Sequence, residues 1–214
     1  MALFIKKSLF TAFFIVVAAT GVALGLKAAV GVGAWDAFSQ ATSTVIGIKV
    51  GTFSMMMNLS CVLVQMVILK KDFKLLSFLQ IFMAILLGFF VNIVFYDVLG
   101  GVIINSYVIN MLIYLGSLLV IIMAVALIMS INFLSFPLEA ACMAVASKTK
   151  LKFGTIRQLV DVFSIIGAIV IAISFNNPIP IREGTVIGML LFGPMIAWFI
   201  PRFTPLVKRM GISD

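Results

Sequence analysis

Six apolar runs divide the chain, at about residues 8–30, 50–69, 75–98, 107–132, 155–175 and 184–200. Each falls near the roughly 17–25 residues with which a helix crosses a ~30 Å hydrocarbon core. The breaks between them are short: "KKDFK" at 70–74, "LGGVIINS" at 99–106 and "NNPIP" at 176–180, with Pro201 closing the last run ahead of a basic tail. Two stretches do not fit this pattern. "AWDAFSQATSTVIG" (34–47) and "PLEAACMAVASKTK" (137–150) are helix-competent but only 14 residues long. At 1.5 Å per residue that is about 21 Å, too short to cross. Each follows or includes a breaker (Gly31 and Gly33 in one, Pro137 in the other) and carries an acid in its first turn. Acids there are favoured by the helix dipole and the unpaired N–H groups.

The two short stretches also resemble each other. Asp36-Ala37 aligns with Glu139-Ala140 at an offset of 103 residues, and the same offset pairs Ala41 with Ala144, Thr44 with Ser147, Lys49 with Lys152, Gly51-Thr52 with Gly154-Thr155, and Asn58 with Asp161. Each copy follows the first span of a three-span half. Three is odd, so a duplicated half enters the membrane from the opposite side, the plan of many secondary transporters. The expectation is an all-α membrane protein, one transmembrane domain over 1–214. It has six transmembrane helices as an inverted 3+3 repeat (halves about 1–105 and 106–214) and two short re-entrant or interfacial helices at about 34–47 and 137–150. Whether those helices dip into the bilayer beside a polar cavity or lie on its surface with their acids as caps stays open here.

Composition supports the membrane class. Hydrophobic residues make up 64% of the 214 and charged residues 10%, against about 25% charged in soluble domains. Mean hydropathy is +1.29. The net charge of +8 is not a nucleic-acid footprint, because its carriers flank the spans. With the N-terminus inside, Lys6, Lys7, Lys70, Lys71, Lys74, Lys148, Lys150, Lys152, Arg157, Lys208 and Arg209 fall on one side, and Lys27, Lys49 and Arg182 on the other. The positive-inside rule then places both termini in the cytoplasm. The first run is long for a secretory signal and lacks a clear cleavage site, so it reads as a retained helix.

Candidate chemistry is sparse. There is no histidine, no cofactor or metal-ligand spacing, and no Ser/His pair, so an enzyme is not expected. Cys61 and Cys142 read as small buried hydrophobes. Asp161 is the one acid well inside a span, with Arg157 four residues earlier on the same face as its natural partner. The substrate-binding candidates are Trp35, Asp36, Ser39, Gln40, Thr52, Asn58, Glu139, Thr155, Arg157 and Asp161, for a small organic solute held near the midplane between the halves. A cation would engage the two acids, and an anion the two short-helix N-termini. Lipid is the other expected partner. Gly21-x-x-x-Gly25 serves either internal packing or a homodimer, and association with other membrane subunits is open.

"GVGAWDAF" from 31 to 38, Gly51-Thr52-Phe53, and "REGTVIGMLLFGPMIAWF" from 182 to 199 resemble the YczE/YitT-type bacterial integral membrane proteins, with Ala34 where proline is common. The resemblance implies a multi-pass protein of the bacterial inner membrane and names no substrate. A looser likeness, to vitamin-binding subunits of energy-coupling-factor transporters, rests on size and span number. The competing class is a non-transporting membrane factor, such as a chaperone, sensor or assembly partner.

Overall fold

A computed structural model describes residues 1–212 of the chain. They form eight α-helices and no strand: α1 (Ala2–Ala28), α2 (Ala34–Ile46), α3 (Val50–Leu69), α4 (Leu79–Asn92), α5 (Tyr107–Ser130), α6 (Pro137–Lys148), α7 (Phe153–Ser174) and α8 (Glu183–Arg209). Six are long and apolar enough to cross a membrane: α1, α3, α4 with its flanking turns, α5, α7 and α8. The expected spans and both short helices fall within a few residues of these limits. The last span departs most. Pro201 was expected to close it, but α8 runs on to Arg209 through Pro194, Pro201 and Pro205. A proline removes one ladder bond, a loss that membrane helices tolerate. Beside Pro201 the Ile200 carbonyl accepts from Thr204 Oγ1 at 2.8 Å and from Ser130 Oγ of α5 at 3.3 Å, which ties α8 to α5.

α1 and α5 cross at the centre of the bundle. Gly21 and Gly25 let them approach: a Cβ on Gly21 would stand 2.6 Å from the Ile121 side chain, and one on Gly25 3.3 Å from Ser117 Oγ. That glycine pair therefore serves internal packing. α4 packs on α1, α8 on α5, α2 on α7 and α6 on α3. Each short helix thus leans on the second span of the other half as well as on its own. Exchanging the two halves maps these pairings onto one another, but two contacts lack a counterpart. α3 packs closely on α4, while α7 and α8 have no comparable contact, and α2 touches α8, while α6 has no comparable contact with α4.

The two short helices are oriented by what their ends touch. The first turn of α2 shares a cavity with Arg157 and Asp161, about 6 and 12 Å along α7 by helical rise. Gln40 and Thr44, further along α2, face a second hollow lined by Asn177, Pro178 and Arg182, at the far end of α7. α2 therefore starts near the middle of the bundle and ends at its edge. α6 does the same toward the other end. The carbonyl of its first residue, Pro137, accepts from Gln65 Nε2 inside the bundle at 3.1 Å, and its last residue, Lys148, pairs with Asp72 at 3.1 Å.

Residues 29–33 lead into α2 along the start of α8. Gly184 N–H donates to the Val30 carbonyl at 2.8 Å, Val32 N–H to Thr185 Oγ1 at 3.2 Å, and an Arg182 guanidinium N–H to the Ala29 carbonyl at 2.7 Å. Gly31 has φ +112°, and a Cβ there would stand 2.7 Å from the Thr185 amide, so only glycine fits without strain. The surface is what a lipid-facing bundle needs: Phe163, Ile166, Val170 and Ile173 of α7 and Val186 and Leu190 of α8 are all exposed. In the plain reading of length and surface, this is a helical membrane protein.

Candidate functional site

The first turns of α2 and α6 meet at one cavity of about 140 Å³, to which all eight helices or the segments leading into them contribute. Six of the expected site residues line it: Trp35 and Asp36 from α2, Asn58 from α3, Glu139 from α6, and Arg157 and Asp161 from α7. They converge although the outermost pair, Trp35 and Asp161, stand more than a hundred positions apart in sequence. The α2 and α6 acids are each the third residue of their helix, so the two helix starts aim equivalent carboxylates at the same space.

The acids are not equivalent in their partners. Arg157 forms an ion pair with Asp161 one turn along α7, and its Nε lies 3.8 Å from Glu139 Oε1. All three side chains are at most one-fifth exposed. Asp36 has no such partner. Among the described residues it accepts no hydrogen bond and meets no cation, and Arg157 acts on it only at a distance. Burial pushes the Asp36 carboxyl up from its ordinary range, with Arg157 pulling the other way; the same opposition acts on Glu139. Asp36 is therefore not the simple helix cap that its first-turn position allowed, because it takes no bond from the α2 amides. The indole N–H of Trp35 is also buried without an acceptor. Asn58 is fully buried, its Nδ2 donating to the Ser54 carbonyl at 2.8 Å.

Four expected residues are elsewhere. Ser39 is buried and donates to the Val50 carbonyl at 3.3 Å, tying α2 to the start of α3. Gln40 faces the second hollow. Thr52 Oγ1 accepts from Asn92 Nδ2 at 2.9 Å and so joins α3 to α4. Thr155 is exposed at the start of α7. Of the two α3 candidates, Thr52 and Asn58, only Asn58 reaches the cavity.

The sequence reading missed the α5 wall. Tyr114 and Ser117, both buried, line the cavity beside Gly25 and Gly188. Tyr114 Oη donates to the Gly184 carbonyl, and a Cβ on Gly188 would stand 2.6 Å from the same Tyr114 Oη. Polar residues one turn apart in an otherwise apolar span, with small residues in two other spans, were the available signal. A family model described as a family of unknown function, DUF6198, matches residues 5–201, nearly the whole chain. The chain belongs to DUF6198. No curated protein and no solved structure matches it. The stretch of this DUF6198 chain covered by the family includes every residue that lines the cavity.

Proposed function

We infer that this DUF6198 protein is a bacterial inner-membrane transporter or solute-binding membrane protein for a small organic solute, with its site between two inverted halves. One observation carries the reading: two short helices, one from each half, begin at a shared cavity and run outward toward opposite ends. Breaks of that kind at a midplane site are how repeat-built transporters expose helix starts to solute. The exchange of partners, α2 on α7 and α6 on α3, is the pairing that a two-fold axis in the membrane plane would produce. On this reading α2 and α6 are re-entrant, since irregular backbone such as residues 29–33 is tolerated at depth beside protein or a cavity. The cavity compares with the ~150 Å³ that admits benzene, so the solute is small. The proposal involves no chemical step.

Orientation follows from charge. Lys148 meets Asp72 at the end that also gathers the start of α1 and the end of α8, where Phe4 packs on Phe133 and Phe10 lies by Val207. At the other end, Lys27 donates to the Gly100 carbonyl and Lys49 lies 5.3 Å from the Tyr96 ring centre. The richer basic end is proposed as cytoplasmic. In a Cys-free background, cysteines at Gly101 and Asn177 should label from outside intact cells with an impermeant reagent. Labelling only after permeabilisation would invert the orientation.

A non-transporting role has one observation in its favour: Arg157, Glu139 and Asp161 satisfy one another, as a purely structural network would. Detergent-purified protein separates the readings. A binder gains stability as RT ln(1+[L]/Kd), and its melting temperature should rise saturably with some member of a panel of small amines, acids, alcohols and amides. Proteoliposomes should then take up the active compound. A chain that responds to none and moves none is a membrane factor instead.

A further inference from the structure

Whether the solute is a cation or an anion turns on which charges at the cavity are already spoken for. Three carboxyls and one guanidinium line the cavity, and among the described residues no other Asp, Glu, Lys or Arg does. Arg157 is engaged by Asp161 and Glu139, so it offers little to an incoming anion and leaves no complement for Asp36. A half-buried carboxylate on the wall of a mostly apolar cavity, with no cation or donor beside it, invites a positive partner. An anion would meet three acids at close quarters. At each short-helix start, where an anion could otherwise meet free N–H groups, the acid on the third residue repels it.

The rest of the wall selects among cations. A bare metal ion needs about six oxygen ligands, and most of the surface around Asp36 is carbon, from Trp35, Tyr114, Leu118, Phe136 and Phe192. Aromatic faces suit an organic ammonium, whose diffuse charge they attract. The unpartnered Trp35 N–H adds a donor for a hydroxyl or carbonyl on the same molecule. Resting on the solute-binding reading above, we propose that the cavity takes a small organic ammonium, and that Asp36 is its counter-ion. Glu139 and Asp161 hold Arg157 and do not touch the ligand's charge. A molecule of the size of choline or ethanolamine fits the volume.

The test uses matched probes on the purified full chain. Melting temperature is followed against choline and ethanolamine chlorides, the neutral choline isostere 3,3-dimethylbutan-1-ol, sodium acetate and sodium chloride, all at constant ionic strength. The ammonium compounds should raise it saturably, and the neutral isostere and both sodium salts should not. Charge-assisted hydrogen bonds are about twice as strong as neutral ones, so Asp36→Asn should weaken ammonium affinity tenfold or more. Asp36→Glu, which keeps the charge, should recover part of it. If only the alcohol or the acetate stabilises, the cation proposal falls while the solute-binding reading stands. Equal ammonium affinity in wild type and Asp36→Asn also overturns it. Silence from every probe, joined to absence of uptake across the wider panel, sinks both. The wild-type contrast between choline and its isostere decides the matter even if a substituted chain fails to fold.

Discussion

The segments 51–52 and 154–155 carry the same Gly-Thr pair, and the fold treats them in opposite ways. In the first half the glycine of the pair sits at a close backbone-to-backbone crossing of α3 and α4. A Cβ on Gly51 would stand 2.2 Å from the Gly88 carbonyl, and one on Gly88 2.3 Å from the Gly51 carbonyl. The first amides of α3 are satisfied from the neighbouring span: Gly51 N–H donates to Asn92 Oδ1 at 2.9 Å and Val50 N–H to Tyr96 Oη at 3.2 Å. In the second half a Cβ on Gly154 would touch nothing within 4 Å, Thr155 is exposed, and α8 stays away from α7. α7 is held instead by α2 and, through Arg157 and Glu139, by α6. A shared motif therefore marks a shared place in the chain, not a shared role. One half is closed by backbone contact and the other by charge around the cavity.

Substitutions can break that contrast. Gly51→Leu should act most strongly, because backbone has to move to admit it: a loss beyond about 3 kcal/mol, read as failure to recover folded protein from detergent. Gly154→Leu should stay within about 0.5 kcal/mol. Equal outcomes for the two would show that the halves are alike after all. Next comes Arg157→Gln, which leaves Glu139 and Asp161 facing each other without a cation. About 3 kcal/mol is expected, the lower end for a broken buried pair because all three groups keep some exposure. Adding Asp161→Asn to that variant should restore part of the melting temperature. Asn92→Ala is smaller, about 1–2 kcal/mol for an amide and a hydroxyl left without their partner. Met195→Ala, at the position offset by 103 residues in α8, should show no hydrogen-bond loss of this kind.

The spans and both short helices were legible because length and breakers alone define them. Asp36 and Glu139 were legible because they recur at the same place in each half and are costly wherever the bilayer surrounds them. Thr52 was misread for the opposite reason. Its helix is apolar on most sides, so spacing cannot say whether a hydroxyl faces the cavity or the α4 neighbour that Asn92 provides. Tyr114 and Ser117 were passed over because their role depends on the gaps left by Gly25 and Gly188, on two other helices. Pro201 was read as a stop because a proline breaks most helices in water, whereas here α8 runs on through it to Arg209. The unequal standing of Asp36 and Glu139 was beyond reach from sequence, since it depends on where one guanidinium ends up.

That guanidinium also sets a timetable. Arg157 leaves the ribosome about 120 residues after Asp36. At roughly 5–20 residues per second, this is an interval of about 6–24 s. Throughout it α2 has neither α7 to lean on nor the one cation of its cavity, so its acid-bearing start has every reason to wait at the wet interface. The charged centre is therefore completed late in synthesis, only once α7 has been made.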